Sequence, residues 1–356
     1  MHKYNSNLLI MIMMLGTFGI LSTELGVIGI LPQIAQYFNV GIDHAGLFVS
    51  LFSITIAITS LFIPMLFNKY DRKKVFSLVL LVFVVCTFFS AFTDVIPAIF
   101  YPAYISITLA VAAEIVPKEK AQESVSKVIM GVSAGTIIGV PITTFMATII
   151  GYRAAMLWFT VVTFIAFIAT VLFFPKLPGK VTAYGSQVQS VKTKIFFMSC
   201  VGVLVLITGV CISYSYMSEF LQTITHIVGL DLSVTLFLFG IASLFGNWIG
   251  GKLLTTKPDQ TTLTYPFILS GLFLLFYYYG HSIIPTVLLM IVWGFLDGLV
   301  NDIIQYWVVS AAPQAPEFAN GIYISVLNIG ITMGTSIGGF IILSYGTISI
   351  FLASII

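Results

Sequence analysis

The sequence predicts an all-α polytopic membrane protein of two pseudo-symmetric six-helix bundles, about twelve spans with the last one truncated. Composition is the first ground. Of 356 residues, 59% are apolar and 8% charged, against roughly 25% charged in a soluble domain, and the mean hydropathy is +1.08. Length is the second: the apolar residues come in runs of about 18 to 25, long enough to cross roughly 30 Å of hydrocarbon as helix. No stretch alternates polar and apolar residues over about ten positions as barrel strands do. The placement of cations is the third ground and depends on the spans themselves.

Spans are predicted at 8–31, 44–67, 75–92, 95–113, 128–150, 154–174, 195–217, 231–254, 263–279, 285–311 and 320–345. A twelfth begins at Gly346 and holds eleven residues, roughly 16 Å of helix. The first run is too long for a signal-peptide core, carries Glu24 and has no small-residue cleavage site. With the N-terminus in the cytoplasm, fourteen of the fifteen Lys and Arg fall on the cytoplasmic side, Arg153 excepted. That asymmetry agrees with the rule that positive charge retains loops inside. The polar stretch from Pro175 to Lys194, with four lysines, reads as a cytoplasmic linker between bundles 1–174 and 195–356.

An internal repeat supports the two halves. Gly131, Gly135 and Gly139 in the fifth span match Gly330, Gly334 and Gly338 in the eleventh, and glycine at every fourth position clears one helix face for a neighbouring backbone. The halves differ in length: 62 positions separate Lys69 from Gly131, but 78 separate Lys252 from Gly330. The shortage of 16 falls around the third and fourth spans, where only Thr93 and Asp94 divide two apolar runs.

Several function classes are excluded. A net charge of +2 offers nothing to nucleic acid. Cys86, Cys200 and Cys211 sit singly inside apolar runs, without disulfide or zinc spacing, and the four histidines lie at the terminus or between spans. No metal, cofactor or obligate protein partner is implied. Nor is there a serine elbow, a phosphate loop or a histidine beside an intramembrane acid, so an enzyme is not expected.

Glu24, Asp297 and Asp302 are the residues that stand out, because they lie within the first and tenth spans. A carboxylate at membrane depth costs several kcal/mol unless it is protonated, paired or facing a wet cavity, so it is a functional candidate by default. No Lys or Arg lies in the apolar body of a span to neutralise it. These three are therefore the proton-coupling candidates. Asp297 and Asn301, four apart, share a helix face, whereas Asp302 is expected to point well away from Asp297. Trp293, Asn301, Tyr306, Tyr323 and Asn328 are candidates for lining a solute cavity, by ring stacking and hydrogen bonding. Ordinary packing is the competing role for each.

The run Ser22 to Ala35 (STELGVIGILPQIA), the stretch Gly131 to Pro141 (GVSAGTIIGVP) and the GYRAA beginning at Gly151 together resemble the drug and sugar efflux branch of the major facilitator superfamily, which includes arabinose-efflux-like and purine-efflux-like permeases. The resemblance covers almost the whole chain. It puts Glu24 on an acidic first-span position and makes Gly131, Gly135, Gly139 and Pro141 the fifth-span antiporter motif. The turn from Pro64 to Lys74 is similar to the superfamily's cytoplasmic gate turn. There Lys69, Arg72 and Lys73 keep the basic side, while Asn68 replaces an acid and Asp71 a glycine. Asp94 stands where the branch has an arginine.

The resemblance implies the major facilitator fold in a bacterial inner membrane, with proton-coupled antiport of a small organic solute such as a drug, sugar or nucleobase by alternating access. The implied partners are that solute, protons and the bilayer. The competing expectation is a paralogue or sensor that keeps the fold without transporting.

Overall fold

The computed structural model describes residues 6–67, 69–92, 134–178, 193–312 and 316–355, with isolated positions between 104 and 131; among these the chain is helical and has no strand. The helices are α1 (Ser6–Gly29), α2 (Leu31–Phe38), α3 (Ile42–Phe67), α4 (Arg72–Ser90), a π turn (Gly135–Gly139) leading into α5 (Val140–Ile149), and α6 (Tyr152–Phe173). There follow α7 (Lys194–Tyr214), α8 (Met217–Thr223), α9 (Gly229–Thr256), α10 (Pro258–Tyr279), α11 (Ile283–Ser310), α12 (Pro316–Tyr345), a 3₁₀ turn (Thr347–Ser349) and α13 (Ile350–Ala353). Nine segments among the described residues are long and apolar enough to cross a membrane. Most of the predicted fourth span and Asp94 before it lie outside the described residues, as do Asn68 and residues 179–192 of the linker.

The helix ends follow local chemistry. Asp71 caps α4 by accepting a hydrogen bond from the Lys74 N–H at 3.2 Å, satisfying a donor that a helix start leaves orphaned. Pro141 has no N–H to bond back four residues; just before it the Val140 N–H reaches the Gly135 carbonyl, five residues back, as the π turn. Between α5 and α6 the chain reverses at Gly151, whose φ of 116° suits glycine. The first and seventh predicted spans are each broken near their ends. In the first, Ile30 leaves helical geometry (φ −117°, ψ 17°) and Pro32 lies in the opening turn of α2. In the seventh, Tyr216 takes nearly the same conformation (φ −113°, ψ 17°) with no proline.

By contact the chain forms two compact units, residues 1–27 with 58–182 and residues 28–57 with 183–356. α3 runs unbroken through the boundary at residue 57. In the first unit α4 packs on α6: Tyr152 donates to the Ser90 carbonyl at 2.9 Å, and the Thr160 and Thr87 hydroxyls meet at 3.2 Å. The ring of Phe174, past α6, is edge-on to Phe76 at 5.2 Å. Gly131, Gly135 and Gly139 face Met14, Leu21 and Ser22 of α1.

In the second unit the matching stripe Gly330, Gly334 and Gly338 faces Ile207, Thr208 and Ile212 of α7. The glycine face of each half thus seats against the first helix of that half. The core of this unit is Trp293, fully buried, ringed by Tyr214, Phe239, Phe273, Phe276 and Phe351 at centroid distances of 5.4 to 6.3 Å. Phe351 comes from α13 and stacks on Phe276 at 4.7 Å. The predicted twelfth segment is therefore a 3₁₀ turn and a short helix that close this cluster. Buried threonines such as Thr17, Thr143, Thr163 and Thr170 bond to the carbonyl four residues back, which satisfies their own hydroxyl protons within the helix.

Candidate functional site

The closest helix crossing in the second unit is that of α9 with α11, and glycine on both helices makes it possible. A Cβ on Gly294 would meet the Phe239 carbonyl, and one on Gly298 the Ser243 carbonyl. In return, a Cβ on Gly246 would meet the Phe295 carbonyl, and one on Gly250 would come within 2.5 Å of the Asp302 carboxylate. Two glycine pairs spaced by four therefore interlock, Gly246, Gly294 and Gly298 against backbone and Gly250 against the Asp302 side chain.

Both intramembrane aspartates of α11 lie at this crossing. Ser243 donates its hydroxyl to Asp297 Oδ2 at 3.3 Å. One turn further along α9, Asn247 donates Nδ2 to Asp302 Oδ1 at 3.2 Å, and the Gly250–Gly251 backbone lies against the other oxygen. Each carboxylate is half-buried, and neither has a Lys or Arg partner among the described residues. Lys252, on the same helix as these donors, rests over the Trp248 ring at 3.6 Å. Asp297 is also within electrostatic reach of Cys211 on α7 and Tyr265 on α10, and Asp302 of Tyr323 on α12. The expectation that Asp302 points away from Asp297 holds for the angle around an isolated helix. The structure adds that helices this close let side chains on either flank of the contact line reach the same neighbour.

The remaining candidates divide. Trp293 sits one turn before Asp297 with its Nε1 buried and without a protein partner. Tyr323 is half-buried, and Asn328 is buried, with Nδ2 bonded to the Ile324 carbonyl at 2.9 Å and Oδ1 without a protein partner. Asn301 is exposed and donates to the Asp297 carbonyl of its own helix at 2.9 Å; Tyr306 is exposed as well. Glu24 belongs to the first unit. It is half-buried, two residues from both Ser22 and Gly26, which face Gly139 and Phe159, so it lies on the opposite side of α1.

Within the gate turn, Asp71 is the cap of α4, Lys69 Nζ sits 5.3 Å from the Tyr70 ring centre, and Lys73 is half-exposed. Arg72 is buried, and its N–H donates to the Leu177 carbonyl at 2.8 Å. Gly135 and Gly139 bound the π turn, and Pro141 follows it. Sequence reasoning missed Ser243, Asn247 and the four glycines of the crossing. Their signal was available as a glycine pair spaced by four in each of two spans.

Comparison with known proteins identifies the family. The Major Facilitator Superfamily model matches residues 8–335. The uncharacterized transporter YtbD of Bacillus subtilis is 30% identical, over 93% of this chain and 87% of its own length. The inner membrane transport protein YdhP of Escherichia coli K12 is 25% identical, over 92% and 87%. A probable sugar efflux transporter of Pasteurella multocida is 22% identical, over 91% and 83%. Among solved structures, a bacterial homolog of the human lysosomal transporter Spinster, inward-facing and occupied, superposes with a TM-score of 0.78 at 15% identity, covering 96% of this chain and 82% of that one. The human organic anion transporter MFSD10 gives 0.67 at 14% identity, covering 99% and 97%. These two likenesses are of fold alone, but the family model spans most of the sequence, and the chain belongs to the Major Facilitator Superfamily.

Proposed function

We propose that this protein exports a small organic solute, sugar-like or drug-like, across a bacterial inner membrane in exchange for protons, by alternating access and with its N-terminus in the cytoplasm. The observation that carries the reading is the α9–α11 crossing, where Asp297 and Asp302 are held by a serine and an amide and, among the described residues, by no cation. A carboxyl group paired only with neutral donors exchanges a proton without first breaking an ion pair. Glu24 supplies a further acid in the first unit. The charge asymmetry of the turns supports the orientation, and the sugar-efflux relative supports the solute class and direction.

Everted vesicles with an imposed proton gradient test this. Addition of a transported sugar or cationic dye should release a proton flux. Asp297→Asn and Glu24→Gln should each lower it at least tenfold at normal protein levels. Unchanged flux in both variants would refute the coupling. The rival reading, a fold retained without transport, is favoured by Asp94 standing where the branch has an arginine. Saturable export above a vector control removes it.

A further inference from the structure

The second unit includes residues 28–57, and among the contacts that tie them to it is a line of uncharged contacts between α3 and α12. Ser50 and Ser336 pair through their hydroxyls at 3.1 Å. Thr332 donates to the Ser50 carbonyl at 3.3 Å, and Ser325 to the Ala57 carbonyl at 2.9 Å. At one end of this line stands Tyr216, in the break between α7 and α8. Its ring lies against Gly338 of α12, and its hydroxyl fills the space where Gly46 of α3 and Gly339 of α12 lack side chains. That hydroxyl donates to the Thr335 carbonyl at 2.9 Å, and Ser215 pairs with the Thr335 hydroxyl at 2.7 Å.

We propose that Tyr216 is a bolt for the transport cycle: seated in the Gly46–Gly339 notch it holds α3 against α12, and it must leave the notch for the solute path on that side to open. The inference rests on the transport reading above. Three features support a contact made to be broken. Among the described residues no ion pair joins α3 to α12: the Tyr216 hydroxyl meets the two glycines, and Asp43, whose backbone and Cβ border Gly339, pairs with His44 of its own helix at 2.9 Å. Thr332 already shares its proton with the Asn328 carbonyl at 2.8 Å, so parting the helices leaves it bonded. And Tyr216 sits at a point where its helix is not continuous, with a backbone conformation matched at the Ile30 break before α2. The stubs α2 and α8 beyond those breaks touch one another within the same unit, so each is a short lever attached at a break. Tyr216 acts here as a positioning residue; solute and proton are carried elsewhere.

Cysteine chemistry tests this in a background of Cys86→Ala, Cys200→Ala and Cys211→Ala. The pair Ser50→Cys with Ser336→Cys should cross-link on mild oxidation and lose export at least tenfold, with recovery after reduction. Failure to cross-link, or full-rate export by the cross-linked protein, overturns the bolt. A second readout does not depend on transport. Ser50→Cys alone should react slowly with a membrane-impermeant maleimide added outside, several-fold faster when combined with Tyr216→Ala, and at an intermediate rate with Tyr216→Phe, which keeps the ring and loses the Thr335 bond. Equal labelling in all three overturns the inference. Absence of export in the parent protein would instead sink the transport reading and leave the labelling result to decide on Tyr216.

Discussion

Ser243 and Asn247 each give a carboxylate on α11 one donor, four residues apart on α9. A hydrogen bond to a charged group contributes about 1.5–3 kcal/mol, enough to alter how readily the acid holds a proton. Ser243→Ala is expected to change proton-coupled flux several-fold while lowering stability by no more than that hydrogen bond contributes, and Asn247→Leu to do the same through Asp302; paired flux and unfolding measurements check both. Asp71 makes a contrasting case. It lies in the gate turn where the family has a glycine, and its carboxylate is the cap of α4. Asp71→Ala should cost about 1 kcal/mol and Asp71→Ser almost nothing, a pattern that a charge latch does not produce and that thermal unfolding in detergent will read.

Between elements, glycine acts in opposite ways depending on what lies opposite it. At Gly298 an added methyl collides with the Ser243 carbonyl, whereas at Gly271, in α10, nothing lies within 4 Å. Gly298→Ala should therefore destabilise by about 1–3 kcal/mol through overpacking. Gly271→Ala should stabilise by up to about 1 kcal/mol through helix propensity alone; the two Tm shifts will have opposite sign. The same contrast explains what could be read in advance. The stripes at Gly131–Gly139 and Gly330–Gly338 stood out because they recur in the two halves. The pairs Gly246–Gly250 and Gly294–Gly298 face each other within one half, so a comparison between halves passes over them. The break before α2 is marked by Pro32. The break at Tyr216 has no proline or glycine, because partners on α12 rather than local propensity hold it.

For the molecule as a whole, span length and charge placement made the fold legible, since both are properties of the chain and the bilayer rather than of packing. What linear reasoning lacked was which residues meet. Asp302 was expected to face away from Asp297, yet both reach α9, and α13 completes a core through Phe351. Phe351→Ala should cost about 3–5 kcal/mol by opening a cavity beside Trp293 and Phe276, seen as a lower Tm together with a shifted tryptophan emission.

The division of α3 at residue 57 also has a consequence in time. Residues 28–57 belong with partners that extend to the end of α12 at Tyr345. At a synthesis rate of about 5–20 residues per second, the ribosome takes roughly 15 to 60 s to travel from one to the other. For most of that interval the Ser50 face of α3 is in the membrane without Thr332 or Ser336 to cover it, and for about the first half Gly46 also lacks Tyr216. The newborn chain is therefore most exposed to membrane proteases and mispairing in its early helices, long after they are made, and the rate of translation past residue 183 should set how much of it survives.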